Sequence, residues 1–197
     1  MNTRSVRGLR RKMLTAMALG PIAWRASAAS APPTASDSEG PYYPPERPAT
    51  AGSNLRQLPG KPAAEGPALD IEGRVLDSTG RALPGVLVEI WQTDARGNYI
   101  HPRAPLQTGT SRDPGFAGYG RSSTDEQGRW RFATVKPIGY FGRPPHIHVK
   151  LWQGGNELLT TQLYFPGSGG RRGLMLAPAA AVQGVEQGRF DFVVRAA

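Results

Sequence analysis

The 197-residue chain is 39% hydrophobic and holds 25 glycines and 19 prolines, a composition that suits one turn-rich globular domain and is too small for two ordinary ones. Its formal charge of +9 invites a nucleic-acid partner, but six of the 24 basic residues (Arg4, Arg7, Arg10, Arg11, Lys12 and Arg25) precede residue 31. The remaining 18 face 15 acids, and so mild a balance excludes nucleic acid as the expected partner. With no cysteine present, disulfides and thiolate ligation are excluded, and any metal must be held by His, Tyr, Asp or Glu.

Residues 1–31 read as an export signal. Arg10-Arg11-Lys12 precedes an apolar run ending at Trp24, and the small residues of "ASAASA" are spaced for cleavage after Ala28 or Ala31. The run is too short to span a bilayer, so no membrane span is expected. The arginine pair before a weakly apolar stretch resembles a twin-arginine signal, with the general secretory route as the alternative, and either implies a periplasmic location. Residues 32–68, dense in Pro, Ala, Gly and Ser, read as an extended arm. It is interrupted by "EGPYYPP", whose Tyr42 and Tyr43 are expected to pack on the domain as structural or pocket-wall residues.

Alternation begins at Leu69 and defines a domain over 69–197. "LDIEGRVLD" places Leu69, Ile71 and Val75 on one face and breaks at Asp77-Ser78-Thr79-Gly80. The strands "GVLVEIWQT", "RWRFATV", "HIHVKLW", "LLTTQLYF" and "RFDFVV" follow, and no convincing helix. The pattern predicts an all-β fold, a β-sandwich with long active-site loops. Two irregular stretches stand out. Residues 93–124 lack apolar alternation and carry Tyr99, His101 and Tyr119; "KPIGYFGRPP" presents Tyr140 and leads into the histidine strand. Irregular segments as long as the first are uncommon unless functional or disordered.

Two of the three histidines, His146 and His148, stand two apart, on one strand face about 7 Å from each other along the chain. Ile147, Val149 and Leu151 take the opposite face, so the histidine face is either wet or a site. Two imidazoles alone are a weak signal. The loop phenols Tyr99 and Tyr140 add hard anionic donors, which favour a highly charged ion such as Fe(III), and a bound metal depresses the phenol pKa far enough for ligation at neutral pH. Two phenolates would hold iron in the ferric state, which suits activation of an organic substrate better than dioxygen binding at ferrous iron.

The runs "LDIEGRVLDSTGRALPGVLVEIWQTDARGNYIHP", "DEQGRWRFATVKPIGYFGRPPHIHVKLW" and "LLTTQLYFPG" resemble the intradiol ring-cleavage dioxygenases, and among these the protocatechuate beta-subunit kind. The resemblance covers about residues 39–167. It implies a β-sandwich with Fe(3+) at its edge, ligated by Tyr99, Tyr140, His146 and His148, and a small aromatic 1,2-diol and O2 as reactants. It further implies that Tyr140 leaves the iron when the diol binds and accepts a hydroxyl proton, while Tyr99 stays. Arg143 would stabilise carbanion character on the attacked ring carbon, and Gln162 would orient the substrate. His101 is expected outside the ligand set.

Several features depart from the larger family members. Only "FGRPP" separates Tyr140 from His146, Ser168 stands where an Asp is common, and an export signal is unusual for this chemistry. The pair Arg171-Arg172 is expected to be a solvated turn. Oligomeric state is not legible. Two alternatives stand beside the dioxygenase: a non-catalytic transthyretin-like or carboxypeptidase-regulatory-like binding module, suggested by "GRVLDSTGRALPGVLVEI", and a ferrous oxygenase with two histidines and one carboxylate.

Overall fold

The alternating segments pair into two sheets. In a computed structural model of the chain, which describes residues 31–48 and 51–195, the strands are β1 (Ala68–Asp77), β2 (Leu87–Trp91), β3 (Tyr119–Ser123), β4 (Arg129–Val135), β5 (His146–Gln153), β6 (Asn156–Tyr164), β7 (Ala177–Val182), β8 (Val185–Arg189) and β9 (Phe192–Val194). One sheet runs β4-β1-β8-β7, with β9 also pairing to β1, and the other runs β3-β2-β5-β6. The only helical element among the described residues is a 3-10 turn, Arg172–Leu174, and none is long and apolar enough to cross a membrane. The export signal read over 1–31 falls almost wholly outside the described residues.

The core follows from the period-two pattern. Leu69, Ile71 and Val75 of β1, with Trp130 and Phe132 of β4, meet Val88 and Ile90 of β2 and Ile147, Val149 and Leu151 of β5, all buried. Strand β5 is buried on both faces through His146, His148 and Lys150, because the arm covers its outer side. Thr34 N donates to Val193 O (2.8 Å), Asp37 N to Thr160 O (3.0 Å), and Gln162 Nε2 to Ser38 O (2.6 Å). Further along, Leu55 N donates to Ala133 O (2.8 Å), and the Leu55 side chain is fully buried in the core.

Three stretches of the chain differ from the sequence expectation. The stretch 93–124, read as strandless, ends in β3, which pairs antiparallel with β2 (Trp91↔Tyr119). Its core-facing slot is Gly120, where a Cβ would lie 2.5 Å from Leu55 Cδ1. The arm supplies the apolar group, and no alternation shows in the sequence. Strands β7 and β8 were not expected either, because "APAAAV" and "VEQGR" are largely exposed. Finally, "RFDFVV" is not one strand: Arg189 ends β8 and Phe192 starts β9. At the break the Phe190 carbonyl crosses Gly73, where a Cβ would sit 1.7 Å from that oxygen. Gly73→Ala must therefore push two backbones apart. The expected cost is on the order of 3 kcal/mol, seen as a fall of about 10 °C in Tm; an unchanged Tm would show that the crossing yields freely.

Candidate metal centre

The i, i+2 spacing on β5 directs both imidazoles outward from the sandwich, and their Nε2 atoms come within 3.2 Å of each other. Tyr99, whose backbone forms an isolated bridge with Thr93, brings its hydroxyl 2.9 Å from His148 Nε2 and 3.3 Å from His146 Nε2. The Tyr140 hydroxyl lies 3.4 Å from that of Tyr99. The four side chains predicted from the sequence thus meet at one point.

Each is held differently. His146 Nδ1 sits 2.7 Å from Pro144 O. A carbonyl only accepts, so that nitrogen carries the proton and Nε2 presents its lone pair to the centre. His148 stacks on Trp91, with ring centroids 4.8 Å apart and planes 7° from parallel. On the arm, Gly40 approaches so closely that a Cβ there would lie 3.2 Å from His148 Cε1. Tyr140 stands on a tight turn closed by reciprocal backbone hydrogen bonds with Arg143 (3.2 and 2.8 Å). Phe141 (φ 43°) and Gly142 (φ 77°) occupy its centre in the left-handed region, as the primed hairpin turns require.

Arg143 and Gln162 also come together. Arg143 Nη2 donates to Gln162 Oε1 (2.8 Å), which accepts from the Tyr164 hydroxyl as well (3.0 Å). His101 stays apart: its Nδ1 accepts from the Arg103 amide (3.2 Å), and its ring packs 5.6 Å from Tyr42. Tyr42 in turn lies 4.9 Å from the Tyr99 ring, a wall as expected. The histidine face is not wet, since His146 and His148 are 3% and 2% exposed.

Burial sets the electrostatics. It holds His148 well below the usual imidazole pKa, reinforced by His146 and Arg143. It lowers His146 too, against the Pro144 carbonyl and with the help of Arg143. It raises the Tyr99 phenol, with Tyr140 adding to the rise. Neutral imidazoles and the un-ionised Tyr99 phenol therefore crowd lone pairs about one point, with the Tyr140 hydroxyl beside them, an arrangement that a cation would relieve. The donor set, two nitrogens and two phenolic oxygens, fits a hard, highly charged ion. Among the described residues no three His, Cys, Asp or Glu side chains are grouped to hold a metal. The ferrous alternative with one carboxylate thus lacks its third ligand there.

Behind the centre lies a group that the sequence reading did not single out. Glu89 on β2 is fully buried and accepts from the hydroxyls of Tyr43 (2.7 Å) and Tyr119 (2.6 Å) and from Trp152 Nε1 (2.7 Å). Arg47 approaches to 3.7 Å. The signal was an acid inside "VLVEIW", which an apolar strand tolerates only with partners. Tyr43 meets Trp91 edge-on at 4.9 Å, so the carboxylate ties the arm to the ring that backs His148.

The family model Dioxygenase_C, described as a dioxygenase, matches residues 38–170, which include every residue of this centre. The chain belongs to the intradiol ring-cleavage dioxygenases. It is 43% identical over 121 residues to the protocatechuate 3,4-dioxygenase beta chain of Burkholderia cepacia, covering 55% of this chain and 48% of that one. Over 154 residues it is 29% identical to the chlorocatechol 1,2-dioxygenase of Pseudomonas putida, covering 64% and 56%. The chain thus spans about half the length of these curated relatives. The dioxygenase domain of a carbohydrate-binding fusion protein from Streptomyces sp. SirexAA-E superposes with a TM-score of 0.66 at 32% identity, over 84% of this chain and all of that one. The 3-chlorocatechol 1,2-dioxygenase of Rhodococcus opacus 1CP gives 0.63 at 26%, over 83% and 73%. The β-sandwich of this intradiol family is the fold observed here.

Proposed function

We propose that the chain is a non-haem Fe(III) intradiol dioxygenase that opens a catechol-type ring between its two hydroxyl-bearing carbons. Both atoms of O2 enter the product, a muconate-type dicarboxylate. The observation that carries this reading is the convergence of Tyr99, His146 and His148 within hydrogen-bonding range of one another, with the Tyr140 hydroxyl 3.4 Å from that of Tyr99 and no carboxylate grouped with them among the described residues. These four would hold the ion. When bound, ferric iron would supply the Lewis acidity that lets a 1,2-diol chelate as a dianion and exposes its ring to dioxygen.

The surrounding residues have separable tasks. Tyr140, on its two-residue turn, would help hold the ion and is the phenol placed to take a hydroxyl proton from the diol. Arg143 brings a fixed positive charge beside the site, where it stabilises negative charge developing on the ring. Gln162 sets the direction of that guanidinium, because its own amide is pinned by Ser38 and Tyr164. Trp91, Gly40 and Tyr42 exclude water from the imidazoles and Tyr99. We further place the protein in the periplasm, on the support of Arg10-Arg11 ahead of a short apolar run.

The iron-loaded protein is expected to be red-brown from tyrosinate-to-iron charge transfer, with Tyr99→Phe shifting or removing the band. It should consume one O2 per diol, read by an oxygen electrode over catechol, hydroxyquinol, protocatechuate and larger catechols, with the dicarboxylate identified by mass. A colourless protein that fails to take up ferric ion and consumes no oxygen would overturn the reading.

A further inference from the structure

We propose that Arg112 is a positioning residue that fixes Tyr99 in the metal centre, an inference that rests on the metal-binding role of Tyr99 proposed above. The Arg112 guanidinium does not pair with a carboxylate among the described residues. It is spent on backbone: Nε donates to Tyr99 O (2.9 Å), and Nη2 donates to His101 O (2.9 Å) and Ala104 O (2.8 Å). Residues 99–104 therefore curl around one planar cation, and the Ala104 amide closes the curl on His101 O (3.1 Å). Charge-assisted donation to three carbonyls needs the arginine fork; a lysine ammonium on its flexible stem would hold fewer of them in one geometry.

The brace has a second foot. The next residue, Asp113, donates its amide to Asp94 Oδ2 (2.9 Å), and the other carboxylate oxygen of Asp94 accepts from the amides of Arg96 and Asn98 (both 2.9 Å). Both Asp94 and Asp113 are buried. The pair Arg112-Asp113 thus grips the Tyr99 segment from both sides, so Tyr99 cannot slide along the sheet. Tyr140 is mounted on the opposite principle, a two-residue turn with both central residues left-handed. One phenol is clamped through its own carbonyl and the other stands at the foot of a two-residue turn. A shift of even 1 Å in a site of this kind costs heavily in binding geometry.

The test uses the full chain with Arg112→Met, which removes the donors and keeps the stem, and Arg112→Lys, which keeps the charge. In metal-free protein, amide exchange over residues 98–104 should quicken by about tenfold or more in Arg112→Met and by less in Arg112→Lys, since each hydrogen bond to a charged group is worth about that factor. In iron-loaded protein the tyrosinate band should shift or broaden, and ferric affinity should fall by about tenfold, in the same order. Unchanged exchange together with an unchanged band and affinity in Arg112→Met would overturn the inference. Should Arg112→Met not fold, Arg112→Lys decides alone: a band and affinity equal to those of the parent protein overturn it. A parent protein that takes up no ferric ion would instead fail the proposed function, and the exchange measurement would still report on the brace.

Discussion

His148→Ala is expected to abolish ferric-ion retention and, with it, ring cleavage. The imidazole is one of the four donors that meet at the centre among the described residues, stacked on Trp91 and capped by Gly40. The third histidine, His101, turns its Nδ1 to the Arg103 amide and packs on Tyr42, and Arg143 is tied to Gln162. Loss of groups that merely support a metal ligand lowers affinity by roughly 10–100-fold. Loss of the ligand itself should exceed about a hundredfold, leaving iron below stoichiometry after gel filtration. Circular dichroism should stay that of a β-sandwich, because Ile147 and Val149, not His148, face the core. Full iron occupancy in this variant would reject the ligand assignment while leaving the fold untouched.

Glu89→Ala is expected to act on stability first. The carboxylate has no exposed surface and gathers two phenolic hydroxyls and an indole N–H. Truncation to Ala leaves the buried Tyr119 hydroxyl without its acceptor, at about 1–3 kcal/mol, takes the acceptor from the half-buried Tyr43 and Trp152, and frees Arg47 from its approach at 3.7 Å. A total near 4 kcal/mol is expected, or a fall of about 12 °C in Tm. Glu89→Gln, with one acceptor oxygen in place of two, should fall between. Because Tyr43 sits on the arm, the arm should loosen before the sandwich melts, so proteolysis within 31–48 should appear at temperatures where the far-ultraviolet signal is still native. Equal stability of Glu89→Ala and the parent protein would show that the arm is held elsewhere.

Much of this was legible in the sequence, and the reason is local geometry. His146 and His148 share a face because a strand repeats every two residues, and that holds whatever the rest of the fold does. The cores of β1, β2, β4 and β5 follow from the same alternation. Elements that failed to show are those whose partners come from far along the chain. Strand β3 was missed because its apolar contact at Gly120 is donated by Leu55. The break in "RFDFVV" was missed because it is set by Gly73, more than a hundred residues earlier. Glu89 and Arg112 went unnoticed for a related reason: a buried acid and a backbone-binding arginine announce themselves only when the donors and carbonyls around them are in place.

The position of the arm has one more consequence. It precedes the sandwich in the chain, yet it docks on the finished outer surface of the β3-β2-β5-β6 sheet through Asp37, Ser38 and Gly40. The apolar core between the sheets contains no residue of 31–48. What this stretch adds is a roof over the imidazoles, with Gly40 against His148 and Ser38 O accepting from Gln162 Nε2. Shelter for the centre thus comes from chain that precedes the sandwich and not from the sheets alone.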